Sequence, residues 1–370
     1  MNTTTHLDFL IEKELRRYQL IREAHSHVKN LVPKVKWKSN VVISRYIFVQ
    51  IGAGKNTIDP VFAKESDDAC LPQILGDVIA SNGNDDGRDV NVDQDPQLND
   101  AKAILSLPSL FDKYCKIIQS MTASEIKLTV KLEEGVDKSG SGCYVYVTDA
   151  ESNDIIGPKI FAYKPLIDKL NSTCKPGLEN LKVIYLTLLR YLLVLDSGSH
   201  QLALIYDDNN KFFGDQIKVE CFASPLNRTC DHFCGAFPDV DSMFVGHIGR
   251  FQDVKFESGY CYTANPPYDG VVMHQCSETI IQALSVTKNV TAYMTIPVWD
   301  YEGLIKVYPP RSHRVFKVYM GVPYPALDTL KKTDLCKEVK IYPRDDLPYW
   351  DSVKLRKVYP CASYIIKLQS

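Results

Sequence analysis

Phe9, Leu10, Leu15, Leu20, Ile21 and Val28 recur at roughly helical intervals through Leu7–Val32, with Arg16, Arg17, Arg22 and Lys29 on other faces. This spacing predicts an amphipathic helix with a basic side. Through Lys34–Gln50 the pattern becomes β-branched and strand-like. Over Ser81–Asn99 it collapses into Asn, Asp and Gly with almost no large apolar residue, which predicts a disordered, solvated insert. Order resumes at Leu105–Met121 as a helix, and Ile126–Lys131 with Gly142–Thr148 reads as a strand pair across the Gly-rich turn Ser139–Ser141. Helices follow at Leu166–Leu170 and Leu178–Leu195. The apolar stretch Val183–Leu195 contains Arg190 and is too short to cross a bilayer, so it reads as a buried helix and no membrane partner is expected.

Beyond Gly198 the pattern changes. Short β-branched or aromatic runs at Ile217–Ala223, Cys261–Ala264, Val290–Val298, Val315–Gly321 and Val358–Leu368 are separated by segments able to hold helices, such as Val271–Leu284. That alternation predicts an α/β sheet with crossover helices. The chain therefore divides, by expectation, into a mixed, largely helical N-terminal domain at 1–197, carrying the acidic insert at 81–99, and an α/β domain at 198–370.

Charge sharpens this picture. The formal net charge is −2 over 370 residues, which gives no sign of a polyanion partner. Yet Asp59–Asp100 holds eleven acids against Lys64 and Arg88, so everything outside it is net +7, and the basic residues gather in 11–38 and 303–370. A polyanion is compatible with most of the chain. The eleven cysteines have no repeated spacing, which predicts reduced thiols and an intracellular protein. The four Asn-x-Thr sequons do not outweigh this, because Met1–Leu10 lacks an apolar signal core.

The most informative tetrapeptide is Asn265-Pro266-Pro267-Tyr268, directly after the strand-like Tyr260–Ala264. Two prolines fix an extended, stiff turn, suited to a rigid loop at the carboxyl end of a strand. There an Asn amide and a proline carbonyl can both accept hydrogen bonds from an exocyclic amino group while the aromatic ring stacks on its base. Orientation then supplies much of the rate, and the base must be unstacked to enter. The plainer alternative is a Pro-Pro turn with an Asn cap and a core tyrosine. Forty-one positions earlier lies Ser224, within Glu220-Cys221-Phe222-Ala223-Ser224-Pro225-Leu226-Asn227, a strand running into a small-residue turn. The end of the first strand in an open α/β sheet is where a nucleotide-like cofactor sits.

Glu220–Asn227 followed by Asn265–Tyr268 resembles the phosphorylated-CTD-interacting-factor family of cap-specific mRNA adenosine N6-methyltransferases. Phe213-Gly214, Ala236–Asp239 and Ile296–Trp299 add to the likeness. The resemblance covers Phe212–Trp299 most strongly. It implies a Rossmann-like S-adenosylmethionine-dependent methyltransferase domain, with S-adenosyl-L-methionine as methyl donor and the cap-adjacent 2′-O-methyladenosine of capped mRNA as acceptor. By the same likeness, Asn265 and the Pro266 carbonyl hold the adenine N6, Pro267 stiffens the loop and Tyr268 stacks on the base. Glu220, Phe222, Ala223, Ser224 and Asn227 line the cofactor pocket. Tyr268 departs from the family's Phe, which keeps the ring and loosens the substrate assignment toward internal RNA or DNA adenine. A non-catalytic cap-binding or activator subunit is the reading from another class.

A second departure concerns partners. Animal members carry a WW module with paired tryptophans, whereas Trp37, Trp299 and Trp350 are not paired at a spacing of about twenty residues. The expectation is a catalytic-core-only relative, of viral or protist kind, without polymerase-tail binding. Nuclear residence would follow the family, and cytoplasmic residence a viral origin. Lys34, Lys36, Lys38 and Arg45 interleave with Trp37 and Tyr46, a mixture suited to cap phosphates and a stacked methylated guanine, or equally to a solvated face. Trp299, Arg311 and Arg314 are further candidate RNA contacts, as are His313, Lys317, Lys354, Arg356 and Lys357. Cys230-Asp231-His232-Phe233-Cys234 has three potential ligands but no second pair, so no metal is expected. Ile51–Thr57 lacks the full spacing of a phosphate loop. His247, His274 and His313 receive no catalytic role.

Overall fold

The structure is a computed structural model describing residues 3–31, 43–44, 46–47, 50, 59, 61–62, 96–137, 140–195, 201–204, 213, 216–307 and 324–370. The chain divides into two compact units. One comprises Met1–Ile167 with Pro176–Gly198, the other Asp168–Lys175 with Ser199–Ser370. The second unit thus draws in an eight-residue segment from the region that the sequence assigns to the first domain.

In the first unit, helix α1 (Thr3–Leu31) buries Leu7, Ile11, Leu20, Ile21, Ala24 and Val28; of the residues expected from spacing, Leu20, Ile21 and Val28 are buried, whereas Phe9, Leu10 and Leu15 are only half-buried. Helix α2 (Pro96–Gln119) contributes Leu107, Phe111, Tyr114 and Ile118 to the core. Strands β1 (Leu128–Asp137) and β2 (Gly140–Asp149) form the expected antiparallel pair, and β3 (Ile160–Tyr163) adds to β2. Helix α3 (Lys164–Thr173) follows, its residues from Asp168 onward belonging to the second unit, and then α4 (Asn180–Leu188) runs into a wider π-type turn at Leu189–Val194. There Arg190 is fully buried, its Nε donating to Glu14 Oε1 at 2.6 Å and its Nη2 to Glu14 Oε2 at 2.6 Å. Arg17 Nη1 donates to Glu14 at 2.7 Å, and Arg17 Nη2 to Asp59 at 2.8 Å. A buried guanidinium is tolerated only with such partners.

Three expectations change in this unit. Arg17 turns inward to the ion-pair network rather than lying on a basic outer side. Within Lys34–Gln50, the described residues Ile43–Ser44, Tyr46–Ile47 and Gln50 are helical, with Ile43, Tyr46 and Ile47 buried, so burial rather than β-branching governs them. Helix α2 also takes in Pro96–Asn99, the end of the segment expected to be disordered. The rest of that segment, Lys36, Trp37, Arg45, Ile51–Thr57, Arg311, Arg314 and Val315–Gly321 lie outside the described residues.

The second unit is built on a six-stranded mixed sheet, with helices packed against it. Its strands are β5 (Val219–Glu220), β6 (His232–Phe233), β7 (Cys261–Ala264), β8 (Thr291–Pro297), β9 (Cys336–Tyr342) and β12 (Ser363–Gln369), in the order β6-β5-β7-β8-β12-β9. β6, β5, β7 and β8 run parallel, and β12 is antiparallel to both neighbours. The order reverses at β5: the chain moves outward to β6 and then returns to β7 on the opposite side. The short helix α5 (Pro238–Asp241) lies on the return, and α6 (Gly270–Val286) connects β7 to β8.

Side chains alternate across this sheet with the period of two that a pleated strand imposes. Tyr262, Ala264, Ala292, Met294, Ile296, Tyr364, Ile366 and Leu368 enter one core with Met273, Ile280 and Leu284 of α6 and with Leu327 and Leu330 of α8 (Pro325–Lys332). The short α7 (Tyr301–Val307) precedes α8 in the chain. Cys261, Tyr293 and Ile365 point to the other face and meet Leu204, Phe213 and Tyr349. Two of those come from a second small sheet, in which β10 (Tyr349–Asp351) lies between β11 (Arg356–Val358) and β4 (Leu202–Leu204).

Candidate active site

The carboxyl ends of β5 and β7 are adjacent, with Glu220 opposite Thr263 in parallel register. Because the strand order reverses here, this is the switch point at which an open α/β sheet offers a crevice to a ligand. The two motifs, with Ser224 and Asn265 forty-one positions apart, therefore leave the sheet side by side. A cleft at this edge is lined by Leu202, Ala203, Leu204, Glu220, Phe222, Asn227, Thr263 and Asn265. The space it encloses is only about 10 Å³, room for about one water, so it is a shallow cleft rather than a pre-formed small-molecule pocket.

The first motif folds into a closed turn. Ser224 N donates to Asn227 Oδ1 at 2.7 Å, Ser224 Oγ to Gln201 Oε1 at 2.5 Å, and Asn227 Nδ2 to the Leu202 carbonyl at 3.2 Å. Asn227 and Phe222 face the cleft, whereas Ser224 is buried in the turn and Ala223 N is bonded to the Cys234 carbonyl. Glu220 Oε2 accepts from Thr229 N at 2.6 Å and Cys230 N at 3.0 Å, and Oε1 accepts from Thr229 Oγ1 at 3.0 Å. Burial raises the Glu220 carboxyl above the usual carboxylate range, while these hydrogen bonds and Lys169 pull it back. From α3, Lys169 Nζ donates to the carbonyls of Leu226 at 2.9 Å and Arg228 at 2.8 Å. The turn at 226–230 is thus held on its carbonyls by Lys169 and on its N–H groups by Glu220.

The second motif ends against α6. Asp269 N donates to the Pro267 carbonyl at 2.7 Å, and the Asp269 carboxylate caps α6 by accepting from Val271 N at 3.0 Å and Val272 N at 3.3 Å. Among the described residues, no backbone N–H takes the Pro266 carbonyl. Asn265 Oδ1 is buried and has no hydrogen-bond partner among them. A buried amide oxygen left unpaired costs about 1–3 kcal/mol, so this atom is poised for a donor that a ligand brings. Tyr268 is half-buried, its ring 6.5 Å from that of Trp299 at 79° and its hydroxyl 2.7 Å from that of Tyr349. Trp299, expected as a substrate contact, is therefore brought beside the loop by the end of β8.

The residues present suit an adenosine-type ligand. Glu220 Oε1 keeps acceptor capacity beyond its bond to Thr229, Asn265 Oδ1 lacks a donor, and Phe222 offers an aromatic surface. No group of three or more His, Cys, Asp or Glu side chains able to hold a metal is found among the described residues. None of the ten described cysteines forms a disulfide among the described residues. None of the described helices is long and apolar enough to cross a membrane. Residues that sequence reasoning missed are Gln201, Leu202–Leu204, Thr263, Lys169, Asp269 and Tyr349. Of these, only Asp269 has a local signal, standing at a helix N-cap directly after a Pro-Pro turn.

Fold and edge together define an α/β domain with a shallow cleft at its topological switch point. Residues 171–313 match the model of a family described as the phosphorylated CTD interacting factor 1 WW domain. The resemblance to the phosphorylated-CTD-interacting-factor family is borne out over that stretch. Curated proteins from Mus musculus and Homo sapiens, each named mRNA (2'-O-methyladenosine-N(6)-)-methyltransferase, are both 39% identical to the chain over 75 residues. That alignment covers 19% of this chain and 10% of each relative's length. The description of the family model names a WW domain, against the expectation that such a module is absent. Trp299 is the single tryptophan within 171–313.

Proposed function

We propose that the second unit is a Rossmann-like methyltransferase domain that binds S-adenosyl-L-methionine at the β5 and β7 ends and methylates N6 of the cap-adjacent 2′-O-methyladenosine of capped mRNA. The observation that carries this reading is the unpartnered, buried Asn265 Oδ1 in the cleft shared with Glu220, Phe222 and Asn227. The names of the mouse and human relatives support the substrate class.

The cofactor, when bound, supplies an electrophilic methyl group. Glu220, Phe222 and Asn227 would hold it, the carboxylate meeting hydroxyl or ammonium donors. Asn265 Oδ1 and the Pro266 carbonyl accept the two N6 hydrogens of the adenine, which directs the nitrogen lone pair out of their plane. Pro267 and the capped start of α6 keep both acceptors fixed, so the rate comes from orientation and needs no strong base. Tyr268 stacks on the base once it has left its neighbours in the strand.

The test is methyl transfer from radiolabelled S-adenosyl-L-methionine to capped RNA beginning with 2′-O-methyladenosine, beside uncapped RNA and DNA oligonucleotides. Capped RNA is expected to be the preferred acceptor, and Asn265→Ala to abolish transfer. Full activity in that variant would remove the loop from the chemistry. Equal labelling of DNA or uncapped RNA would replace the cap-adjacent substrate by adenine in general. Absent cofactor binding by calorimetry, with RNA binding intact, would favour a non-catalytic subunit.

A further inference from the structure

The hydroxyl of Tyr268 sits in a polar pocket that a phenylalanine would leave unmatched. Tyr349, from β10, is buried, and its hydroxyl lies 2.7 Å from that of Tyr268. Ser363, at the start of β12, is fully buried close to both tyrosine hydroxyls, its Oγ 3.7 Å from Cys361 Sγ. The Ser363 backbone is fixed in turn by pairing with Pro297 of β8 and Tyr342 of β9. Two phenol hydroxyls, one from the loop and one from β10, therefore meet beneath the loop with the Ser363 hydroxyl nearby, and each can donate one bond and accept others. The ring above them stands edge-to-face against Trp299.

We propose, resting on the methyltransferase reading above, that Tyr349 is a positioning residue for base binding: through its hydroxyl it holds the Tyr268 ring in place beneath an incoming base. The physical reason is rotational. A ring packed at one edge alone can swing about its Cα–Cβ bond, and each displaced position presents a poorer stacking face to an incoming adenine. The phenol oxygen lies on the Cβ–Cγ axis, so its hydrogen bond resists not rotation about that axis, which the Trp299 contact opposes, but swing about Cα–Cβ, where it acts at the point farthest from the pivot. Burial also raises both phenol groups well above their ordinary range, so the pair stays uncharged and hydrogen-bonded across the working pH range.

The experiment is a double-mutant cycle on the full chain with Tyr349→Phe and Tyr268→Phe, measuring kcat and KM for RNA, KM for S-adenosyl-L-methionine, and thermal unfolding. Each single variant is expected to lose about three- to tenfold in kcat/KM for RNA, the effect of one hydrogen bond, with KM for the methyl donor unchanged. Removing both hydroxyls takes away the unmatched partner, so the double variant should be no worse than the poorer single one. Wild-type kinetics in either folded single variant, or losses that multiply in the double variant, would overturn the assignment. If Tyr349→Phe does not fold, Tyr268→Phe reads the same bond from the loop side. If the wild-type protein transfers no methyl group, the methyltransferase reading itself fails, and thermal unfolding then decides whether the hydroxyls couple as a structural pair only, which overturns the positioning role.

Discussion

Asn265→Ala should leave the unliganded second unit as stable as the wild type or more so, even though it removes a polar side chain from a rigid loop. In the structure Asn265 Oδ1 is buried without a partner, which costs about 1–3 kcal/mol relative to a hydrated amide. The side chain as a whole is only half-buried, so truncating it forfeits about 1 kcal/mol or less of apolar burial. The balance is a gain of about 0–2 kcal/mol. For a domain of this size each kcal/mol moves the melting temperature by about 2–4 °C, so the expected shift lies between zero and about +8 °C. Differential scanning calorimetry without ligand, at one pH and salt concentration, measures it. Repeated with S-adenosyl-L-methionine at about a hundred times its Kd, the wild type should gain about 2.7 kcal/mol. The variant should gain about as much, because under the proposed function the amide holds the adenine and not the methyl donor. A fall in unliganded melting temperature beyond about 4 °C would refute the reasoning, because it would make the amide a structural partner. Stability traded for an unpaired polar atom is the mark of a binding site.

Other outcomes follow from neighbouring groups. Asp269→Ala removes both bonds that cap α6 and should cost about 1–2 kcal/mol by urea unfolding, with a loss of methyl transfer as the Asn-Pro-Pro-Tyr loop slackens; unchanged stability would show that the cap is dispensable. His247 is held neutral by burial and by Lys175, which push it down to about 4, with Nε2 buried and unpartnered. Its folded pKa lies below the unfolded value near 6.5, so the unfolded chain takes up the proton first and stability falls as pH drops from about 6.5 to 4. His247→Gln should flatten that limb of a denaturation series, and an unchanged slope would show that His247 does not govern it. Burial pushes Lys169 down to about 8, against the upward pull of Glu220. Here too the folded value is depressed, so stability should rise between about pH 8 and 10.4 in the wild type relative to Lys169→Met; parallel curves would discount the group.

Periodic elements were the readable part of the fold. Cys261–Ala264 is the strand its alternation predicts, and α6 extends the expected Val271–Leu284 by one residue at one end and two at the other. These segments pack on a large core, and their hydrophobic pattern records that burial. β9 was not legible, because an edge strand reading Cys-Lys-Glu-Val-Lys-Ile-Tyr is charged where it meets water. β4 and β10 are three residues each, too short to carry a period. Around Ile43–Ile47 the β-branched residues misled, since local propensity yields to tertiary burial. At the site, proximity of the two motifs was legible only through the resemblance. The partners that hold them were not, because a lysine on α3 and a tyrosine on β10 look ordinary until the fold brings them to the turn and the loop. Glu220 shows the limit from the other side: its carboxylate, read as a ligand contact, also ties Thr229 and Cys230, a duty visible only in three dimensions.

β12 is the last strand of the sheet in chain order, yet it lies inside it, pairing with β8 on one side and β9 on the other. During synthesis, at about 5–20 residues per second, β8 and β9 must wait roughly seventy and twenty residues for the strand that joins them. Until residue 369 has left the ribosome, β8 presents an open edge and Ser363 is not beneath the loop. A message cut short, or a ribosome that stops early, therefore yields a chain that holds the Asn-Pro-Pro-Tyr sequence without its completed support. Under the proposed function, the fold makes methyl transfer conditional on synthesis through this strand.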